Sequence, residues 1–441
     1  MKRYILFFIL CALALAGCRQ KSDEVLSYAY NDNMAFGEAN RSYAGKFEVM
    51  WRGMSANYAL WDYEYEQGLD WDKVYDAYLP KFEALDKQQD PVTNAQLKAL
   101  LDSVVAPLHD GHLAIQMKNH QTGTYVTSSP GYMRVQRERG EEHAMVYGKE
   151  PILDHYQTSG KLKAYKKCST TDVDQTYSYA PFLANPLSVT YALFDDNIAY
   201  FGFNHFSLLF YVDPDIAAQK FPDADSTALA IITGIRDTWN AWFDAIQEHH
   251  KAGDLGGVII DVRSNGGGLL ADYQLVIGAL VPSGGMLESN ARFKRGTGRL
   301  DYSPILPQTM NTFPDEHVTV TEPIAVLGNC ATVSMGEHTA YSAKVLDNGC
   351  LIGTRTYGGF CALSGKETYT NNYAGFVGEQ NVTSVFCYIP QEVAFTLDNK
   401  IIEGRGVTPD IEIPFDAATW NKGAGADNQI DRALQFIRTG N

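Results

Sequence analysis

From about residue 40 the apolar positions recur at helical spacing. Phe47, Met50, Trp51, Met54 and Tyr58 share one face, as do Val74, Tyr75, Tyr78, Phe82 and Leu85, and then Leu97, Leu100, Leu101, Val104 and Leu108. The pattern predicts a helical region over 40–116 that ends at "HDGHLAI". Residues 117–185 mix Gly, Thr, Ser and Tyr with short apolar runs and read as a β-rich or irregular intermediate region. From 186 to 441 the rhythm changes. "NIAYFGF", "GGVIIDVR" and "EPIAVLGN" are short β-branched runs, and an amphipathic stretch through Ile235, Trp239, Trp242, Phe243 and Ile246 separates the first two. Strands alternating with helices predict a parallel sheet covered by helices, an α/β fold.

The first residues have a different character. Lys2 and Arg3 precede the apolar "YILFFILCALALA", which is short for a bilayer span and ends in small residues. The following "LAGC" resembles a bacterial lipobox. That implies a signal peptide over 1–17, lipid attachment at Cys18 and a tether over 18–39. The expected place is the cell envelope, periplasmic or at the cell surface, with the outer membrane of a Gram-negative cell favoured. An ordinary signal peptide or N-terminal anchor is the alternative. Of seven cysteines, five (Cys168, Cys330, Cys350, Cys361, Cys387) remain beyond that segment, and the sequence fixes no pairing among them.

The 441 residues suit two or three domains, and 45% hydrophobic residues suit a large packed interior. A net charge of −16 speaks against a nucleic-acid partner, whose phosphates require a basic surface. No metal-binding spacing and no nucleotide loop is present, so no cofactor and no metal is expected.

Two turns carry candidate chemistry. "DVRSNGGG" at 261–268 runs from a buried strand into three glycines, whose amides suit either a plain tight turn or an anion site. "ATVSMGE" at 331–337 places Ser334 where a strand passes into a helix, as a simple N-cap or as a nucleophile. A nucleophile beside two amide donors suits acyl transfer, in which charge develops on a carbonyl oxygen. Thr332, Glu337 and five of the histidines (His109, His205, His249, His250, His338) read as structural.

Together the segments resemble the S41 serine peptidases, the group of the C-terminal processing peptidases and the tricorn core. "LHDGHLAI", "GGVIIDVRSNGGG", "ATVSMGE" and "EGRGVTPDIEI" follow one another in family order. The resemblance implies a ClpP/crotonase-like spiral catalytic domain behind an N-terminal helical domain. It implies Ser334 as nucleophile, His112 as general base, Glu403 as its orienting acid, and oxyanion amides from Gly266 or Gly267 and from Met335. The implied substrate is a peptide or unfolded protein. Two positions depart from the pattern. Gly359 stands where processing peptidases carry a lysine base, with Lys366 seven residues further on, and Gly111 stands where tricorn-like members carry a serine. The alternatives are therefore an inactive peptide-binding lipoprotein and a Ser-Lys peptidase with a displaced lysine.

Overall fold

The computed structural model describes residues 42–148, 153–170, 187–296, 298–310, 317–361, 376–378, 380–419 and 426–440. The expectations for 1–17, for Cys18, for the 18–39 tether and for Lys366 fall outside these residues. No helix among the described residues is long and apolar enough to cross a membrane. The chain forms two compact units, and neither is continuous in sequence. Among the described residues, one draws on 42–134, 290–306 and 361–395, and the other on 135–289, 307–360 and 396–440.

The first unit opens with helices Tyr43–Asn57, Trp61–Glu66, Trp71–Lys87 and Asn94–Val105. Each long helix starts where a side chain satisfies its first amides. Ser42 accepts from Gly45, Asp70 from Asp72 and Lys73, and Thr93 forms a reciprocal box with Gln96. The apolar face follows the sequence pattern in its centre: Phe47, Met50, Met54, Phe82, Leu97, Leu101 and Val104 are fully buried. Phe47 and Phe82 stack with ring centres 4.7 Å apart. These helices are accompanied by an antiparallel sheet of Phe376–Val377, Val385–Tyr388, Ala114–Lys118 and Tyr125–Ser128, in that order.

The stretch 117–185, read from sequence as β-rich or irregular, does hold strands Tyr125–Ser128 and Leu162–Ser169, but between them lies Pro130–Val146, two helical segments kinked at Arg139. Val135 and Val146 are buried in it but arginines and glutamates crowd between them, so the sequence shows little helical periodicity.

The second unit is a seven-stranded sheet in the order Ile411–Glu412, Gly349–Gly353, Ile324–Gly328, Gly257–Asp261, Ile198–Phe203, Ser188–Phe194 and Leu162–Ser169. The first five run parallel, and the last two are antiparallel additions. The central strands are buried at every position because helices cover both faces. On one face Trp242 of helix Ser226–Ala252 stacks on Phe201 at 5.0 Å. On the other, Ile430, Ala433, Leu434 and Ile437 of helix Asn428–Thr439 pack with Tyr200, Ile259 and Ala325. This is the mixed α/β fold with a central parallel sheet that the sequence rhythm predicts.

The helix expected near "LLADYQLVIGAL" is two short 3₁₀ turns, Leu270–Leu275 and Gly278–Leu280. Its carbonyls have other partners. Leu275 accepts from the Trp239 indole at 2.8 Å, and Ala279 and Leu280 accept from Val318 and Val320. An α-helical ladder needs those carbonyls for itself.

Candidate active site

In the second unit, parallel strands Gly257–Asp261 and Ile324–Gly328 lie side by side and both lead into turns at the same edge. Ligand sites of parallel sheets gather at this edge. The first turn is fixed by side chains. Asp261 accepts from the Arg263 amide at 3.0 Å, Asn329 Oδ1 accepts from the Ser264 amide, and Asn265 Oδ1 accepts from the Gly267 amide at 2.8 Å. The Arg263 guanidinium is buried between Asp261, Asp427 and Gln429, which ties the strand end to the cap of helix Asn428–Thr439.

Ser334 heads helix Met335–Val345 with φ 58° and ψ −123°, and its side chain makes no cap hydrogen bond. This settles the choice between cap and exposed hydroxyl against the cap. A non-glycine residue in that region costs roughly 1–3 kcal/mol, and such strain gathers at functional turns. The surroundings impose it: Ser334 N–H donates to Gly359 O at 3.0 Å, and Val333 N–H donates to Asn265 O at 2.9 Å. Gly267 abuts the serine so closely that a Cβ there would lie 2.4 Å from Ser334 Cβ and 3.0 Å from Oγ. With φ +84°, only glycine fits.

The expected oxyanion amides divide. Gly267 N–H is committed to Asn265, and Gly266 N–H reaches Asn204 O at 3.3 Å. Gly267 therefore contributes close approach in place of the donor role read from sequence. The amides of Met335 and Gly268 have no acceptor among the described residues.

Glu337, read from sequence as structural, holds a turn beside Ser334. It is fully buried and accepts from Thr356 Oγ1, from Gly358 N–H at 2.9 Å and from Gly359 N–H at 2.5 Å. It thereby holds the turn whose Gly359 carbonyl bonds Ser334. Burial raises its carboxyl above the usual range. The "EGRGV" segment docks on the same turn through Gly404 N–H to Gly358 O at 3.0 Å and Val407 N–H to Thr356 Oγ1 at 2.7 Å. Glu403, within it, is fully buried.

Thr332 and His338, the polar residues flanking Ser334, are occupied. Thr332 Oγ1 donates to Val262 O at 2.8 Å. His338 Nδ1 faces the buried Glu288 at 3.1 Å and Nε2 faces Phe360 O at 3.0 Å. Both ring nitrogens are thus engaged by neighbouring oxygens.

His112 belongs to the first unit. Asp110 Oδ1 accepts from the amides of His112 and Leu113 at 2.7 and 2.6 Å, and the half-buried imidazole projects from this Asx turn. Glu64 braces the same segment through the amide and Nδ1 of His109, both at 2.8 Å. Burial pushes the Asp110 carboxyl up to about 7.

Residues 225–413 match the model of peptidase family S41. Tricorn proteases of Thermoplasma volcanium and Thermoplasma acidophilum are 28% and 29% identical to the chain over 41% of its length. The chain spans 14% of the length of these curated relatives. Two solved structures share the fold across 91% of the chain. One, a putative peptidase from Parabacteroides merdae, is 18% identical over 98% of that chain with a TM-score of 0.53. Mature CPAF complexed with lactacystin is 13% identical over 100% of that chain with a TM-score of 0.52. Over residues 225–413 the chain is thus similar to the S41 peptidases.

Proposed function

We propose that the protein is a serine endopeptidase in which Ser334 Oγ attacks a peptide carbonyl. His112 takes the hydroxyl proton and returns it to the leaving amine, and Glu403 orients the imidazole. The Met335 amide and an amide of the Gly-rich turn stabilise the oxyanion. The observation that carries this reading is the strained, uncapped Ser334 pressed against Gly267 at the head of a helix. His112 is favoured as base over His338, whose two ring nitrogens are already engaged.

A fluorophosphonate probe tests the reading. Wild type should label and Ser334→Ala should not, while His112→Ala should label far more slowly at unchanged fold. A wild type that does not label supports the peptide-binding alternative, which the glycines at 111 and 359 motivate. Retained labelling in His112→Ala with loss in Lys366→Ala would favour the displaced lysine. The envelope location through a lipidated Cys18 is part of the same proposal. Cys18→Ser should move the protein from the membrane to the soluble fraction.

A further inference from the structure

The segment after strand Ile198–Phe203 lies along the Gly-rich turn. Gly266 N–H donates to Asn204 O, Phe206 N–H to Gly267 O at 2.8 Å, and Leu269 N–H to Phe206 O at 2.8 Å. Phe206 and Gly268 pair as a parallel bridge, and a Cβ on Gly268 would lie 2.2 Å from Phe206 O. Through Gly267, this segment stands one layer from Ser334.

Phe206 turns its ring into the core against Phe203, with ring centres 4.9 Å apart. Its neighbours His205 and Ser207 are polar and have work to account for. Ser207 Oγ and His205 Nδ1 are buried, and neither has a hydrogen-bond partner among the described residues. Buried polar atoms without partners are uncommon, and each calls for a reason. The His205 ring is half-buried, and desolvation lowers its pKa, so the ring is neutral at pH 7. In a neutral ring a bare nitrogen is the cheaper atom to leave unpaired, because orphaned buried N–H groups are the rarer case. This favours the tautomer with the proton on Nε2. Leu270, just beyond the turn, is 61% exposed and adds apolar surface at its end.

We propose that His205 is a substrate-contacting residue, with Nε2–H donating to a backbone carbonyl of a peptide laid along the Gly266–Gly268 turn. The proposal rests on the peptidase reading above and adds where the chain of the substrate runs. Asp272 supports the contact from behind. Its buried carboxylate accepts from the amides of Leu208 and Leu209 at 2.5 and 2.9 Å and so fixes the exit of the His205 segment.

The test compares wild type with His205→Ala, His205→Gln and His205→Asn. The glutamine amide nitrogen falls near the position of Nε2, and that of asparagine near Nδ1. Two readouts are taken: labelling of Ser334 by a small ethyl fluorophosphonate, and kcat and KM on the peptide that wild type cleaves fastest from a proteome-derived library. His205→Ala should label within about twofold of wild type yet show KM raised about tenfold, the loss of one hydrogen bond to substrate. His205→Gln should recover most of that loss, and His205→Asn should not. A wild type that fails to label or cleaves nothing overturns the peptidase reading, and this contact with it. A labelled, active wild type whose His205→Ala keeps its KM overturns the contact alone. Equal loss of labelling and cleavage in all three variants would make His205 structural and overturn it as well.

Discussion

The turn that carries His112 and the turns around Ser334 are held in opposite ways. In the first unit two acids do most of the holding: Asp110 Oδ1 gathers two successive amides, while its Oδ2 is buried with no partner among the described residues, and Glu64 braces His109 just before it. In the second unit the hold is spread. Glycine at 267 permits close approach, and Asn265, Asn329, Glu337 and Gly359 each supply one or more bonds. An imidazole has to be aimed but can tolerate small rotations, so few pins suffice. A nucleophile kept at φ 58° against its own steric preference needs many partners to over-determine it.

The largest expected effect breaks the second arrangement by volume. Gly267→Val drives a branched side chain into Ser334 and forces valine to a positive φ. Turnover should fall by about 10²-fold or more, the scale on which a misplaced reacting group is felt. Steady-state kcat, with circular dichroism confirming the fold, checks this; unchanged kcat would remove Gly267 from the site.

The next breaks the first arrangement. Asp110→Ala leaves two amides unsatisfied in a buried turn and should cost about 2–4 kcal/mol by urea unfolding. Asp110→Asn keeps one acceptor oxygen and should cost less. Equal costs would mean that Oδ2 matters as much as Oδ1.

The third sharpens the comparison by pH. Burial raises the Asp110 and Asp272 carboxyls to about 7, from the 3.8 of an exposed aspartate. A raised acid binds its proton more tightly in the folded state, so its contribution to stability is full below about pH 4 and is lost as pH rises through 7. Asp110→Asn and Asp272→Asn should each flatten the fall in stability between pH 4 and 7. Denaturation midpoints across that range measure it, and a slope unchanged in both variants would refute the assignment.

The smallest effect belongs to one strut among many. Glu337→Gln retains an acceptor oxygen and should lower stability by only about 1 kcal/mol, with a modest loss of kcat. A loss as large as that of Gly267→Val would show that the Gly358–Gly359 turn depends on this one carboxylate.

The amino-acid sequence by itself determined the rhythm of the fold. Periods of 3.6 in residues 43–105 and continuous β-branched runs at 198–203, 257–261 and 324–328 are local consequences of burial, and the structure places helices and strands there. The sequence also marked Ser334 and the glycines beside it, because a positive φ and close backbone approach restrict residue type at the position itself. Tertiary structure decided what depends on partners distant in the chain. Strand Val385–Tyr388 pairs with Ala114–Lys118 across more than 250 residues, so residues 361–395 join the first unit although their sequence follows the nucleophile helix. Glu337 and Asp272 look like ordinary helix-start acids until their carboxylates are seen capping loops elsewhere. Gly267 could be read as an oxyanion donor only until Asn265 was found to hold its amide. A residue's conformational needs are written at its own position; its hydrogen-bond partners are written nowhere but in the folded arrangement.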